Sequence, residues 1–488
     1  MIRVTSRYRV LWLAALAIVV STSSVPSAQK KKTIVLKPGQ NIEAIVAHSP
    51  QGTRFRFEPG IYRQQTIVPR DQQQFIGQDG VILSGAMELT AWTNESELWK
   101  SQRLPRPLRS DNGECDKGRD LCTRREDLFF NGRLYERVES RDDLRPRKWY
   151  YEDRRAYLAD DPTGQLVELA VTPMAFGGTA ENVRIKDLII EKYASEAQRG
   201  AIYIEHARGW RISGVTARWN HGVGLEIGPK TRVEGGSVSH NGQLGIGATG
   251  EDITIEDVEI SFNNYAGYNP FWEAGGTKFA ETSGLVVRNS CIHHNNGPGL
   301  WTDIDNIDVL YEGNKVFLNA QDGIKHEISY DAIIRDNIAV RNGTGGFDDW
   351  LWGSQILVQN SSNVEVYRNL VEVSNQFGNG IGVIHQNRGE GAFGPWHAVN
   401  NSVHHNTIVH LGSRGLNGVV KDTDDDWFWT EADNSFDRNH YVVADRGSEY
   451  WTSNDRDEDW DDLERLGLER KGKRIVETRS PMDLSCDS

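Results

Sequence analysis

Residues 273–342 read EAGGTKFAETSGLVVRNSCIHHNNGPGLWTDIDNIDVLYEGNKVFLNAQDGIKHEISYDAIIRDNIAVRN. The stretch is nearly one phrase written three times. Each copy has a short apolar run (Leu285–Val287, Val309–Tyr311, Ile333–Ile334) and then an Asn, at 289, 314 and 337. A second Asn follows five or six places later, at Asn295, Asn319 and Asn342. The first set is spaced by 25 and 23 residues. A nearly fixed step of this length, with Gly and Asn at the corners, marks stacked units rather than one globular core. No copy holds heptads or a sustained apolar 3.6-residue period, which argues against helical repeats. One turn of a parallel β-helix fits, because its corners need the positive φ that Gly and Asn tolerate. Asn at matching corners can stack into hydrogen-bonded ladders, so Asn289, Asn314 and Asn337 are expected in one column.

Strand starts of this kind continue on both sides, at Val183, Trp210, Thr231, Ile253, Gly284, Val309, Ala332, Val364 and about Ser402. The fold expected is all-β: a parallel β-helix (solenoid) with an inserted irregular region and a C-terminal cap. Residues 29–91 are assigned to an N-terminal cap and the first turns, with a short capping helix at Ile42–His48. Residues 92–165, rich in Arg, Asp and Pro, form the insertion, with strands at Leu128–Phe130, Lys148–Tyr151 and Ala156–Leu158. The solenoid proper spans 166–443, and 444–488 is an acidic cap and tail. Three excursions interrupt the regular step: Tyr265–Gly276, Gly343–Ser354 and Arg388–His397. They carry aromatics, including Trp272, Trp350 and Trp396, and loops of a solenoid gather on its binding face.

Residues 1–28 have the marks of a secretory signal: Arg3, Arg7 and Arg9, the apolar run Val10–Val20, and small residues before Ala28. The mature chain is therefore expected to be secreted or periplasmic, with no membrane association after cleavage. A net charge of −14 argues against nucleic acid or anionic lipid as partner. Cys115 and Cys122 are close enough for a disulfide in an oxidising compartment. Cys291 lies in an expected strand and reads as a small buried residue.

Strand alternation locates the candidate chemistry. Aligned turn on turn, Gly299–Ile304 lies beside Gly323–Ile328. Thr302 and His326 then face inward, while Trp301, Asp303, Asp305, Lys325, Glu327 and Ser329 face outward. One turn earlier, Lys278 falls in roughly the column of Asp303 and Glu327. Two outward carboxylates a turn apart, with a Lys and a Trp beside them, make a reasonable polysaccharide-cutting site. Trp301 is expected to act as a sugar-stacking platform. With Asp303 and Glu327 as catalytic candidates, Lys278, Trp301, Glu273, Trp272, Asp322 and Trp350 are the substrate-binding ones. A solvated surface ladder of charges is the bland alternative.

The runs GLWTD (299–303), NAQDGIKHEIS (319–329) and IIRDN (333–337) resemble parallel β-helix glycoside hydrolases of the β-xylosidase type. That resemblance implies a right-handed β-helix, with Asp303 as nucleophile and Glu327 as acid/base of a retaining reaction needing no cofactor. Asp303 beside Lys278 is expected to stay ionised, and Glu327 beside Asp303 to keep its proton. The segment GGTKFAETSGLVVRNSCIHHN (275–295) is also similar to the catalytic strand of β-helix pectate lyases. There Lys278 would be the base, acting on a uronic-acid polymer with calcium, although Glu273 is the one carboxylate just before it. The third alternative is a non-catalytic carbohydrate-binding or surface protein. In every reading the partner is a polysaccharide or oligosaccharide.

Overall fold

The structure is a computed structural model; it describes residues 33–108, 112–424, 426–453 and 456–486. The expected signal at 1–28 lies outside them. The chain coils as a right-handed parallel β-helix. Among the described residues a 24-stranded sheet covers two faces of the coil, and a 12-stranded sheet forms the third. A stacked column shows why it holds. Ile255, Val287, Tyr311, Ile334, Val366, Val403 and Phe436 pair in register from turn to turn. All point inward and are at most 4% exposed. Each such side chain contributes roughly 1.5–3 kcal/mol by leaving water.

The corners are as regular as the core. Asn220, Asn241, Asn263, Asn295, Asn319 and Asn342 form one ladder, each side-chain amide donating to the next Asn Oδ1 at 2.9–3.0 Å. Gln355 ends the run. A second ladder joins Asn314, Asn337, Asn369, Asn406 and Asn439. Asn289 is not in it. The residue that meets Asn314 is Ser290, whose backbone N–H donates to Asn314 Oδ1. Asn289 stands one place earlier, at φ 51°, in the left-handed corner that Gly313 and Asp336 occupy in later turns. The repeat therefore carries two adjacent special positions, one chosen for its φ and one for its amide, and Asn suits either.

The first turns are closed by the helix Ile42–Ala47, capped by the Asn41 side chain. Strands from Ala86–Glu88 to Val167–Ala170 form a separate eight-stranded sheet over a core of Leu128, Trp149 and Leu158. Its loop 112–127 packs along the coil, where Cys115 is bonded to Cys122. Cys291 is corrected: it is bonded to Cys486. The tail runs back across the turns to reach it, held by Met482 on Glu372 and Arg341. A polar tail distant by 195 residues carries no local signal for this pairing. No described helix is long and apolar enough to cross a membrane.

Candidate active site

The outer face of the 12-stranded sheet carries the site. Strands Leu300–Asp303 and Ile324–Glu327 pair in register, with Trp301 opposite Lys325, Thr302 opposite His326, and Asp303 opposite Glu327. His326 faces inward as expected. It is fully buried, takes the Thr302 hydroxyl on Nδ1 at 2.7 Å and donates from Nε2 to the Tyr330 carbonyl. Burial holds its pKa down at about 4.

Alternation ends at Asp303. Ile304 and Asp305 both take left-handed φ, and so does Ile328 one turn later. Ser329 is consequently not outward but fully buried in a corner ladder, bonded to Asn306. Asp305 leaves the row too. It accepts from Trp396 Nε1 and Ala392 N, each at 3.0 Å, and so anchors the 388–397 excursion. The Tyr330 hydroxyl donates to Gly394 O in the same hairpin. Lys278 also shifts: Phe279 pairs with Thr302, which sets Lys278 beside Trp301 rather than Asp303. Its ammonium reaches diagonally to Asp303 Oδ2 at 2.9 Å and to Glu273 at 3.6 Å.

Trp301 is not a platform. It is 2% exposed and packs between two ammonium groups, Lys278 at 4.5 Å and Lys325 at 5.0 Å from the ring centre. Its indole N–H donates to Glu327 Oε2 at 3.1 Å. The ring faces attract the cations while its polar edge serves the carboxylate. Trp301 thus positions charged groups. Trp350 likewise packs away, against Leu351 and the outward Leu357, Ile384 and Val420, while its neighbour Trp352 approaches Lys325 at 5.5 Å. Trp272 offers its carbonyl to Lys278 at 3.2 Å. Glu273 accepts from Gln198 Nε2 at 2.8 Å. Asp322 is buried near Lys325, accepting the Ser354 backbone N–H, and burial lifts its pKa to about 6.

The two carboxyls are treated differently by their surroundings. Burial alone would raise Glu327, but Lys325 at 2.7 Å and Arg388 at 2.8 Å outweigh it and hold it at about 2. Burial and the neighbouring Glu327 charge raise Asp303, and Lys278 offsets this only partly. Asp303 Oδ1 is buried with no hydrogen-bond partner among the described residues. Glu327 is thus held low and Asp303 is raised, the reverse of the expected order. The reason is Lys325 and Arg388. Alternation did put Lys325 outward, yet its ion pair to Glu327 was not read from it. Arg388 comes from the excursion some sixty residues on; its loop is expected on the binding face, but its pairing with Glu327 has no sequence signal.

The one grouping of three metal-type ligands among the described residues is Cys291, His293 and Cys486, and those two cysteines are joined to each other. Glu273 and Asp303 both face Lys278, which competes with any cation there.

Residues 200–363 match the family described as "Right handed beta helix region". Among solved structures, XylC in complex with xylose superposes with a TM-score of 0.68 at 14% identity, covering 86% of this chain and 82% of XylC. That likeness establishes the fold. Looser likenesses are to a glycoside hydrolase (TM-score 0.45, 10% identity, 83% of this chain and 99% of that one) and to the A-module of the Azotobacter vinelandii mannuronan C-5 epimerase AlgE6 (0.45, 13%, 91% and 95%). No curated protein matches in sequence. The chain is a right-handed parallel β-helix protein with a paired-carboxyl site on its outer face.

Proposed function

We propose that this protein is a retaining glycoside hydrolase acting on neutral poly- or oligosaccharides, with xylosides among the substrates to test first. The observation that carries the reading is the in-register pair Asp303–Glu327. Adjacent strands lie about 4.8 Å apart, so the carboxyls are roughly 5 Å apart. That is the separation of retaining enzymes, whereas inverting ones need about 6.5–9.5 Å to admit a water. With Glu327 held low and Asp303 raised, Glu327 attacks the anomeric carbon while a proton on Asp303 passes to the departing glycosidic oxygen. Water then attacks the glycosyl ester, gives its proton to Asp303 and releases Glu327. Asp303 Oδ1 has no hydrogen-bond partner among the described residues.

The opposite assignment has its own support. Both Glu327 oxygens are engaged by donors, and the sequence resemblance makes Asp303 the nucleophile. Trapping the intermediate with a fluorinated glycoside and sequencing the labelled peptide separates the two. Label on Glu327 supports the first, and label on Asp303 the second. A first product of inverted anomeric configuration by NMR would sink the retaining reading altogether.

The lyase alternative needs Lys278 as a neutral base. Its nitrogen instead lies against two carboxyl groups, Asp303 and Glu273, and an indole face, which are contacts suited to an ammonium. Unsaturated products from a uronic-acid polymer would revive it. Export is part of the proposal, supported by residues 1–28 and by the two disulfides. Finding the full-length protein reduced in the cytoplasm would contradict it.

A further inference from the structure

The outer face differs on the two sides of the carboxyl pair. On the side of later turns it is roofed. Leu357, Ile384 and Val420 point outward there, yet each is at most 1% exposed, because the Gly343–Ser354 excursion lays Leu351, Trp350 and Trp352 over them. A glycan cannot run that way without lifting this apolar cover. On the side of earlier turns the face is polar, and Tyr203, Glu226 and Lys278 are half-buried. Lys278 pairs in register with Gly247, Gly247 with Glu226, and Glu226 with Tyr203. Gly247 has no side chain to fill its place. The Glu226 carboxyl leans into that space, so that a Cβ at Gly247 would run into it. Glu226 makes no hydrogen bond or ion pair among the described residues. At the far end, Tyr203 is half-buried with the Arg199 guanidinium 5.4 Å from its ring centre and its hydroxyl on Glu205.

We propose that the strip Gly247–Glu226–Tyr203 is a leaving-group subsite that binds the departing portion of a neutral oligosaccharide, the cleaved unit sitting against the roof. This rests on the hydrolase reading and extends it. At about 4.8 Å per strand, Glu226 is three strands, roughly 14 Å, from Asp303, a span reached by an oligosaccharide and not by one sugar. If Asp303 is the proton donor of the pair, the direction agrees, because Asp303 lies on the side of the earlier turns. The chemistry of the strip fits hydroxyl groups. Burial and the neighbouring Glu273 and Glu205 push Glu226 well above the usual carboxylate range, so it can donate a hydrogen bond as well as accept one. The neighbouring Glu273 and Glu205, rather than Glu226 itself, disfavour a uronate. Sugar faces can stack on Tyr203 where Arg199 leaves it open.

The test uses Gly247→Leu, which fills the strip, and Glu226→Gln, which keeps its shape. The added side chain at Gly247 meets chiefly the flexible end of Glu226, and Gly247 needs no positive φ, so the variant should fold; circular dichroism and melting check this. Hydrolysis of a nitrophenyl xyloside is compared with that of neutral β-linked tetrasaccharides of xylose, glucose, mannose and galactose. The expected result is a fall of about ten-fold in the tetrasaccharide-to-aryl kcat/KM ratio for Gly247→Leu, seen chiefly in KM. A ratio unchanged in both variants overturns the subsite. If the parent protein cleaves none of these, the hydrolase reading fails and calorimetric titration of the same tetrasaccharides decides the subsite alone. Binding to the parent that Gly247→Leu abolishes supports it. Equal binding to both, or none to the parent, overturns it. Tighter binding of an oligogalacturonate than of every neutral tetrasaccharide overturns the assignment of substrate class.

Discussion

Asn319 and Asp303 lie in neighbouring turns, both almost wholly buried, and their environments are opposite in kind. Asn319 donates from its backbone and side chain to Asn342, donates again to the Ile292 carbonyl, and accepts from Asn295. Every group has a neutral partner one turn up or one turn down. Asp303 has a single ion pair of normal length, a like-charged neighbour, and an oxygen with no partner. The ladder repeats because each turn satisfies the next. The outer face does not repeat. Asp303 shares the lack of a partner with other buried atoms such as the Tyr311 hydroxyl, but it alone of the two carboxyls compared at the site has such an oxygen.

Changes on the two sides should separate activity from stability. The largest effect is expected from Asp303→Ala and Glu327→Gln. Loss of either should lower kcat on an unactivated glycoside by on the order of 10³-fold or more, while melting temperature stays near the parent's. Equal losses of stability and activity would erase the contrast. Next comes Asn319→Leu, which strands donors and acceptors in the corner at a cost of about 3 kcal/mol. Equilibrium unfolding in urea should show this, with the specific activity of the folded fraction retained.

The contrast also extends to pH. In the proposed mechanism with Glu327 as nucleophile, activity requires Asp303 protonated and Glu327 ionised. It should fall as pH rises through the raised Asp303 pKa and, on the acid side, only as pH approaches about 2. Stability responds to the buried neutral imidazoles. His326 and His410 are each held at about 4, below the ordinary value of 6.5. The unfolded chain then binds more protons between those limits, so their contribution is full above 6.5 and is lost as pH falls towards 4. An activity optimum at alkaline pH would contradict the proton assignment. Arg388→Ala should give a smaller change: Glu327 loses one of its two cations, and the acid limb of the profile moves up in pH. Smallest is Asp305→Asn, which weakens the hairpin anchor and should reduce kcat several-fold, about 1 kcal/mol, by loosening Arg388. If Asp305→Asn shifts no part of the pH profile while Arg388→Ala does, the anchor plays no role in placing the guanidinium.

The coil was legible in the sequence because a solenoid reuses one local solution. Apolar alternation, Gly or Asn at the bends and a nearly constant step are all local facts, and they determined the fold, the outward face of Asp303 and Glu327, and the inward face of His326. The same locality explains the misreading of Asn289, since a left-handed corner and an amide rung ask for the same residue type one position apart. What alternation could not reach was decided across turns. Register set Lys278 beside Trp301, left-handed corners removed Asp305 and Ser329 from the outer row, and the tail returned to bond Cys486 to Cys291. The order in which the two carboxyls hold their proton depends on Lys325, a rung away from Asp303, and on Arg388, delivered by a distant hairpin. Electrostatic energy depends on distance in space, and only the tertiary structure supplies that distance.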